Sequence, residues 1–128
     1  MKILLVEDNP HVVALYSNII STYGYEFRSA ANGAEGMDAI NESKPDVIIT
    51  DLVMPVMDGW HFIELVKESA HFSDIPIIVA SIKDDDQSVA KAMQSGADKF
   101  ISKSQPAREV LIEAIHIVTD KKTKSAKA

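Results

Sequence analysis

Three short runs, Ile3-Leu4-Leu5-Val6, Val47-Ile48-Ile49 and Ile77-Ile78-Val79-Ala80, are apolar at every position. Runs this short, rich in β-branched residues and bounded by turn signals, read as strands buried on both faces. A strand covered on both faces belongs to a parallel sheet, and each parallel neighbour needs a crossover of a dozen or more residues. The sequence supplies those crossovers. Between the first two runs, Val12, Val13, Leu15, Tyr16, Ile19, Ile20 and Tyr23 recur at helical spacing. Phe62, Ile63, Leu65 and Val66 recur after the second, and Val89, Ala92 and Met93 after the third.

Local signals fill in the rest. Asn9 is a good N-cap, Pro10 suits the first helical position, and Gly24 closes the helix. Residues 25–30 alternate with period two, as an edge strand with one wetter face does. Asn32-Gly33 turns the chain into a helix carrying Ala34, Met37 and Ile40, and Pro45 opens the strand that ends at Thr50. A helix starts near Gly59, a strand spans 76–80, and Asp84-Asp85-Asp86 provides helix-start carboxylates. A short strand spans 98–102, and Pro106 opens a last helix with Val110, Leu111, Ala114, Ile115 and Val118 in one stripe. Strand and helix thus alternate five times, which specifies an α/β fold with helices on both faces and right-handed crossovers. The three apolar runs are expected at its centre and 25–30 at its periphery.

Composition limits what such a fold does. At 128 residues, 46% hydrophobic, the chain is one domain, expected over residues 1–120. Its formal charge is −6, and without the four lysines of residues 121–128 it carries 9 basic against 19 acidic residues. An acidic body argues against direct nucleic-acid binding and for a cation partner. The basic segment 121–128 has no apolar periodicity and is expected to be a flexible tail. With no cysteine, thiolate metal sites and disulfides are excluded. The apolar run at 3–6 is too short for a signal peptide or a membrane span, so a cytoplasmic protein is expected.

In a parallel sheet the C-terminal strand ends share one rim, where ligands bind. Four of the five expected strands end in reactive groups: Glu7-Asp8, Asp51, Ser81 and Lys103. Each has an ordinary use, as a helix cap, a turn residue or a solvated lysine. Their meeting on one rim is the informative feature. Three carboxylates in one place raise one another's pKa unless a proton, Lys103 or a divalent cation compensates. Oxygen ligands in an acidic pocket suit Mg²⁺, and no His or Cys stands at zinc-ligand spacing.

These residues, with Asp51-Leu52-Val53-Met54-Pro55-Val56-Met57-Asp58-Gly59 and Gly96-Ala97-Asp98-Lys99-Phe100-Ile101-Ser102-Lys103, resemble the receiver domain of two-component response regulators, of the single-domain, chemotaxis type. The resemblance runs from Lys2 to about Val118. It implies a flavodoxin-like five-stranded sheet in the order 2-1-3-4-5. It implies Asp51 as phosphoacceptor from a sensor histidine kinase or phosphotransfer protein, and Mg²⁺ held by Glu7, Asp8, Asp51 and the Val53 carbonyl. Lys103 is implied to pair with a phosphoryl oxygen and Ser81 to donate to another. Ser81 and Phe100 are implied as the switch that remodels the face of the fourth helix, fifth strand and fifth helix for a downstream protein. The resemblance makes the chain a signalling switch, monomeric or weakly dimeric, that catalyses its own phosphorylation and slow dephosphorylation.

Some positions depart from the family pattern. Ser104 stands where a proline with a cis bond is usual, and a cis bond without proline costs about 3–4 kcal/mol. Glu7 replaces a frequent aspartate and Ser81 the commoner threonine; Phe100 lacks a tyrosine hydroxyl. Ile82 follows Ser81 where a small residue is usual and is expected to crowd the phosphoryl pocket, while Val53 and Lys83 occupy flanks that tune dephosphorylation in relatives. Slow loss of the phosphoryl group is therefore expected. Trp60 is expected to be a packing residue near the rim.

Three rivals fit less well. An aspartate-nucleophile phosphatase needs its nucleophile on the first strand with a second aspartate two residues on, which Glu7-Asp8-Asn9-Pro10 lacks. A nucleotide binder needs a glycine- or hydroxyl-rich loop there, where two acids repel phosphate. A pseudo-receiver that only binds partners is disfavoured because every phosphorylation group is present.

Overall fold

The alternation of apolar runs becomes ten elements in strict succession. In a computed structural model these are β1 (Lys2–Val6), α1 (Pro10–Thr22), β2 (Glu26–Ala30), α2 (Gly33–Glu42) and β3 (Val47–Thr50), then α3 (Gly59–Glu68), β4 (Ile77–Ser81), α4 (Asp86–Ser95), β5 (Lys99–Ser102) and α5 (Ala107–Lys127). The structure describes the backbone of residues 1–127 and the side chains of residues 1–120. The expected basic tail therefore lies outside the described side chains.

All strand pairs are parallel, in the order β2-β1-β3-β4-β5, as expected. Ile3–Val6, Val47–Thr50 and Ile77–Ser81 are buried throughout, which is why their sequences show no polar alternation. Successive side chains go to opposite faces. Ile3, Leu5, Ile49, Ile78 and Ile101 join Tyr16, Ile19 and Ile20 of α1 and Leu111, Ile115 and Val118 of α5 in one core. Leu4, Val6, Ile48 and Val79 join Ile40 of α2, Phe62, Ile63 and Val66 of α3, and Ala92 of α4 in the other.

Most helices start where a short polar side chain takes up an orphan N–H. Asn9 Oδ1 accepts from the His11 N–H at 2.9 Å, and Asp58 Oδ1 accepts from the His61 N–H at 2.9 Å. Asn32 Oδ1 accepts from the Glu35 N–H while its side-chain amide donates to the Glu35 carboxylate, and Asp85 accepts from both the N–H and the hydroxyl of Ser88. The buried stripe of α1 is narrower than its apolar residues suggest: Leu15 and Tyr23 are exposed, as is Met93 of α4. Helices laid over a sheet bury only the side facing it.

Candidate functional site

Backbone pairing continues one residue beyond the strands and fixes the reactive residues in register. The Glu7 N–H donates to the Ala30 carbonyl at 2.9 Å, Asp51 N–H to the Val6 carbonyl at 3.0 Å, and Lys103 N–H to the Ser81 carbonyl at 3.0 Å. Each side chain thus leaves the sheet just where the ladder ends, at the common rim.

There the side chains converge. Lys103 Nζ donates to Asp51 Oδ2 at 2.8 Å and also to Glu7 Oε1. The second oxygen of each acid takes a backbone N–H: Glu7 Oε2 accepts from Asn9 at 3.0 Å, and Asp51 Oδ1 from Leu52 at 2.7 Å. Glu7 and Asp51 are both buried, with side chains 2% and 11% exposed in their pairs with Lys103. Such buried charges persist only when paired and hydrogen-bonded, as these are. Asp8 is exposed, and carboxylate oxygens of Glu7, Asp8 and Asp51 all lie within 4.8 Å of one another.

Three carboxylates face one ammonium, so the site remains electron-rich. Burial pushes the Glu7 carboxyl above its ordinary value, more than Lys103 and the Asn9 N–H lower it. Burial works against the Lys103 charge too, but the hydrogen bonds to Asp51 and Glu7 outweigh it and raise its pKa. Burial raises the Tyr16 phenol as well, and that phenol also feels Lys103, Glu7 and Asp51. The donor set fits a hard divalent cation: all oxygen, partly buried and with excess negative charge.

The remaining expected residues do not join this cluster. Ser81 is buried, and its Oγ accepts from the Lys83 N–H at 3.1 Å. Phe100 is half-buried against the core beneath α2, α3 and α4. Val53, two residues past Asp51, is exposed. Ile82 is 78% exposed, so it does not fill the pocket as expected. It lies just past the end of β4, where the chain has left the sheet. No peptide bond among the described residues is cis, and the Lys103–Ser104 link runs trans. Trp60 packs against the core beneath Lys91, whose Nζ lies 4.3 Å from the ring centroid.

Two roles are not legible from motif or cap signals alone. Gly59 places α3 against Asp51, with its N–H donating to the Leu52 carbonyl at 2.8 Å. Asn9, legible as a helix cap, also lends its N–H to Glu7. The spacing Glu7-x-Asn9 carries that second role only once the turn is known.

Comparison with known proteins gives a consistent result. Residues 3–116 match the family described as response regulator receiver domain. Protein PilH of Pseudomonas aeruginosa is 28% identical over 117 residues, covering 91% of this chain and 96% of that protein. Hybrid signal transduction histidine kinase D of Dictyostelium discoideum is 31% identical over 122 residues, 95% of this chain but 8% of that protein. The signal receiver domain of a signal transduction histidine kinase from Syntrophus aciditrophicus superposes with a TM-score of 0.86 at 31% identity, covering 94% of this chain and 90% of that one. No helix among the described residues is long and apolar enough to cross a membrane.

Proposed function

This chain belongs to the response regulator receiver domain family of two-component signal transduction, and from that premise we propose that Asp51 accepts a phosphoryl group from a phosphohistidine on a sensor histidine kinase or phosphotransfer protein. An Asp51 carboxylate oxygen forms the new bond to phosphorus as the bond from phosphorus to the imidazole nitrogen breaks. The observation that carries this reading is the double engagement of Lys103 with Asp51 and Glu7, beside Asp8. A nucleophilic carboxylate, a fixed ammonium and two further acids are the parts that phosphoryl transfer requires.

Glu7, Asp8, Asp51 and the Val53 carbonyl are the groups that would hold Mg²⁺. When bound, that ion offsets charge on the phosphoryl oxygens. Lys103 does the same from the other side and fixes the direction of attack. Ser81 donates its hydroxyl to a phosphoryl oxygen once it leaves Lys83. Phe100 then follows Ser81, and the α4–β5–α5 face passes the change to a protein partner. This is a population shift, biased by contacts that only the phosphorylated state makes. The chain works in the cytoplasm, as a monomer or weak dimer, and does not bind nucleic acid directly.

Acetyl phosphate, a small donor that needs no partner, tests the chemistry. With Mg²⁺ it should label the wild-type protein and not Asp51→Asn. An unlabelled wild type would favour a pseudo-receiver that acts by binding alone.

A further inference from the structure

Ser104, which stands in the usual place of a proline, belongs to a hydrogen-bonded relay that joins two loops of the rim. Ser102 Oγ lies 2.6 Å from Asp84 Oδ2 and 2.6 Å from Ser104 Oγ. It also accepts from the Ser104 N–H at 3.2 Å. A carboxylate only accepts, so the single Ser102 hydroxyl proton points to Asp84, and Ser104 donates its own to Ser102 Oγ. Asp84 lies in the loop between β4 and α4; Ser102 ends β5, and Ser104 begins the turn into α5.

Ser81 ends β4 at the start of the first loop, and Lys103 lies in the second. On the first, Ser81 Oγ accepts from the Lys83 N–H at 3.1 Å, and Asp84 N–H donates to the Ile82 carbonyl at 3.1 Å. Ser81 Oγ and the Ile82 carbonyl thus hold the Lys83 and Asp84 N–H groups in one tight turn just past β4. Drawing the Ser81 hydroxyl toward Asp51 must either break its bond to Lys83 or pull Asp84 away from Ser102. On the second route the relay opposes the movement, because it anchors Asp84 to the end of β5. It also gives a donor to Asp84, one of three consecutive aspartates, Asp84-Asp85-Asp86.

Resting on the reading of Asp51 as phosphoacceptor, we propose that the Ser104–Ser102–Asp84 relay is a clasp that holds the β4–α4 loop in its unphosphorylated arrangement and sets how readily the protein switches. Ser102 and Asp84 are positioning residues: neither is hydrogen-bonded to Asp51 or Lys103 through its side chain. The clasp acts through Ser81 and the loop that follows it.

The test is calorimetric titration of the full chain with beryllofluoride, a mimic of the phosphoryl group on a carboxylate, in saturating Mg²⁺. Ser102→Ala leaves net charge unchanged and removes the clasp, so it should bind the mimic about threefold to tenfold more tightly, the factor set by one hydrogen bond of ordinary net worth. Ser102→Thr keeps the hydroxyl and should stay within about twofold of wild type. Mg²⁺ affinity alone should be the same in all three, which separates a shifted switch from a disturbed metal site. Ser104→Ala, in an exposed turn, removes only the outer bond of the relay and leaves Ser102 on Asp84, so it should tighten binding by less, about twofold, and gives a second reading in the same direction should Ser102→Ala fold poorly. Equal or weaker binding by the alanine variants, or tightening by Ser102→Thr as well, overturns the clasp. A wild type that binds no beryllofluoride overturns the phosphoacceptor reading itself, and the clasp with it.

Discussion

A Cβ built on Gly59 would stand 2.0 Å from the backbone carbonyl oxygen of Asp51. No side chain fits there, so the first turn of α3 rests directly on the residue that follows β3. This contact positions the phosphoacceptor candidate from behind, while Lys103 and Leu52 hold its carboxylate from the front. Gly59→Ala must move backbone against backbone. It should cost about 3 kcal/mol, seen as a lower midpoint in urea unfolding, and phosphorylation by acetyl phosphate should slow even where the variant is folded.

Val56 adopts a left-handed backbone with φ of 69° and is 85% exposed. A β-branched residue is strained there, by about 1–2 kcal/mol, and gains no burial in return. Val56→Asn, which tolerates this conformation, should raise stability by about 1 kcal/mol. Val56→Gly should gain less, because glycine loses more freedom on folding. Chemical denaturation of the two variants checks both the sign and the order.

The raised pKa of Glu7 makes a prediction about pH. A carboxyl whose folded pKa lies above its unfolded value of 4.5 binds its proton more tightly in the native state. Its contribution is fully present below pH 4.5 and is lost as pH rises through the higher folded value. Glu7→Gln should therefore be more stable than wild type at neutral pH in the absence of divalent cations, and its stability should vary less over that window. Mg²⁺ should reverse the order by stabilising the wild type, by about 2.7 kcal/mol at a hundredfold excess over Kd. Thermal unfolding with and without Mg²⁺ measures both.

Val53 and Ile82 present large apolar side chains to solvent on the loops that follow Asp51 and Ser81. Neither offers a hydrogen bond to a water attacking the phosphoryl group. Val53→Asn supplies such a group and should shorten the lifetime of the aspartyl phosphate about tenfold; Ile82→Ala, which trims an apolar side chain on the loop after Ser81 rather than one in the pocket, should shorten it less. Decay of label after removal of donor is the measurement, and an unchanged half-life in both would remove these side chains from the account.

The sequence made most of this legible because the strands carry their own evidence. Uninterrupted apolar runs specify central parallel strands, and the topology alone then brings Glu7, Asp8, Asp51, Ser81 and Lys103 to one rim. What stayed hidden depends on how loops meet. Ile82 was expected in the pocket, but bulk alone does not say where a side chain past a strand end points. The closeness of Gly59 to Asp51 requires knowing how the chain doubles back after Met57. The relay from Ser104 to Asp84 joins residues 20 apart in sequence, on two loops whose proximity follows only from the pairing of β4 with β5. Leu15 and Met93 match the helical period yet lie exposed, since periodicity does not give the width of a buried face.

The central claim is that Asp51 is the phosphoryl acceptor and that Lys103, Glu7 and Asp8 serve it. Incubation with acetyl phosphate and Mg²⁺, followed by borohydride reduction and peptide mapping, reads the acceptor directly, because hydride converts an aspartyl phosphate to homoserine. The account predicts homoserine at position 51 alone, dependent on Mg²⁺, and none in Asp51→Asn. Homoserine at another aspartate, or an unmodified Asp51 under saturating donor and Mg²⁺, would contradict it.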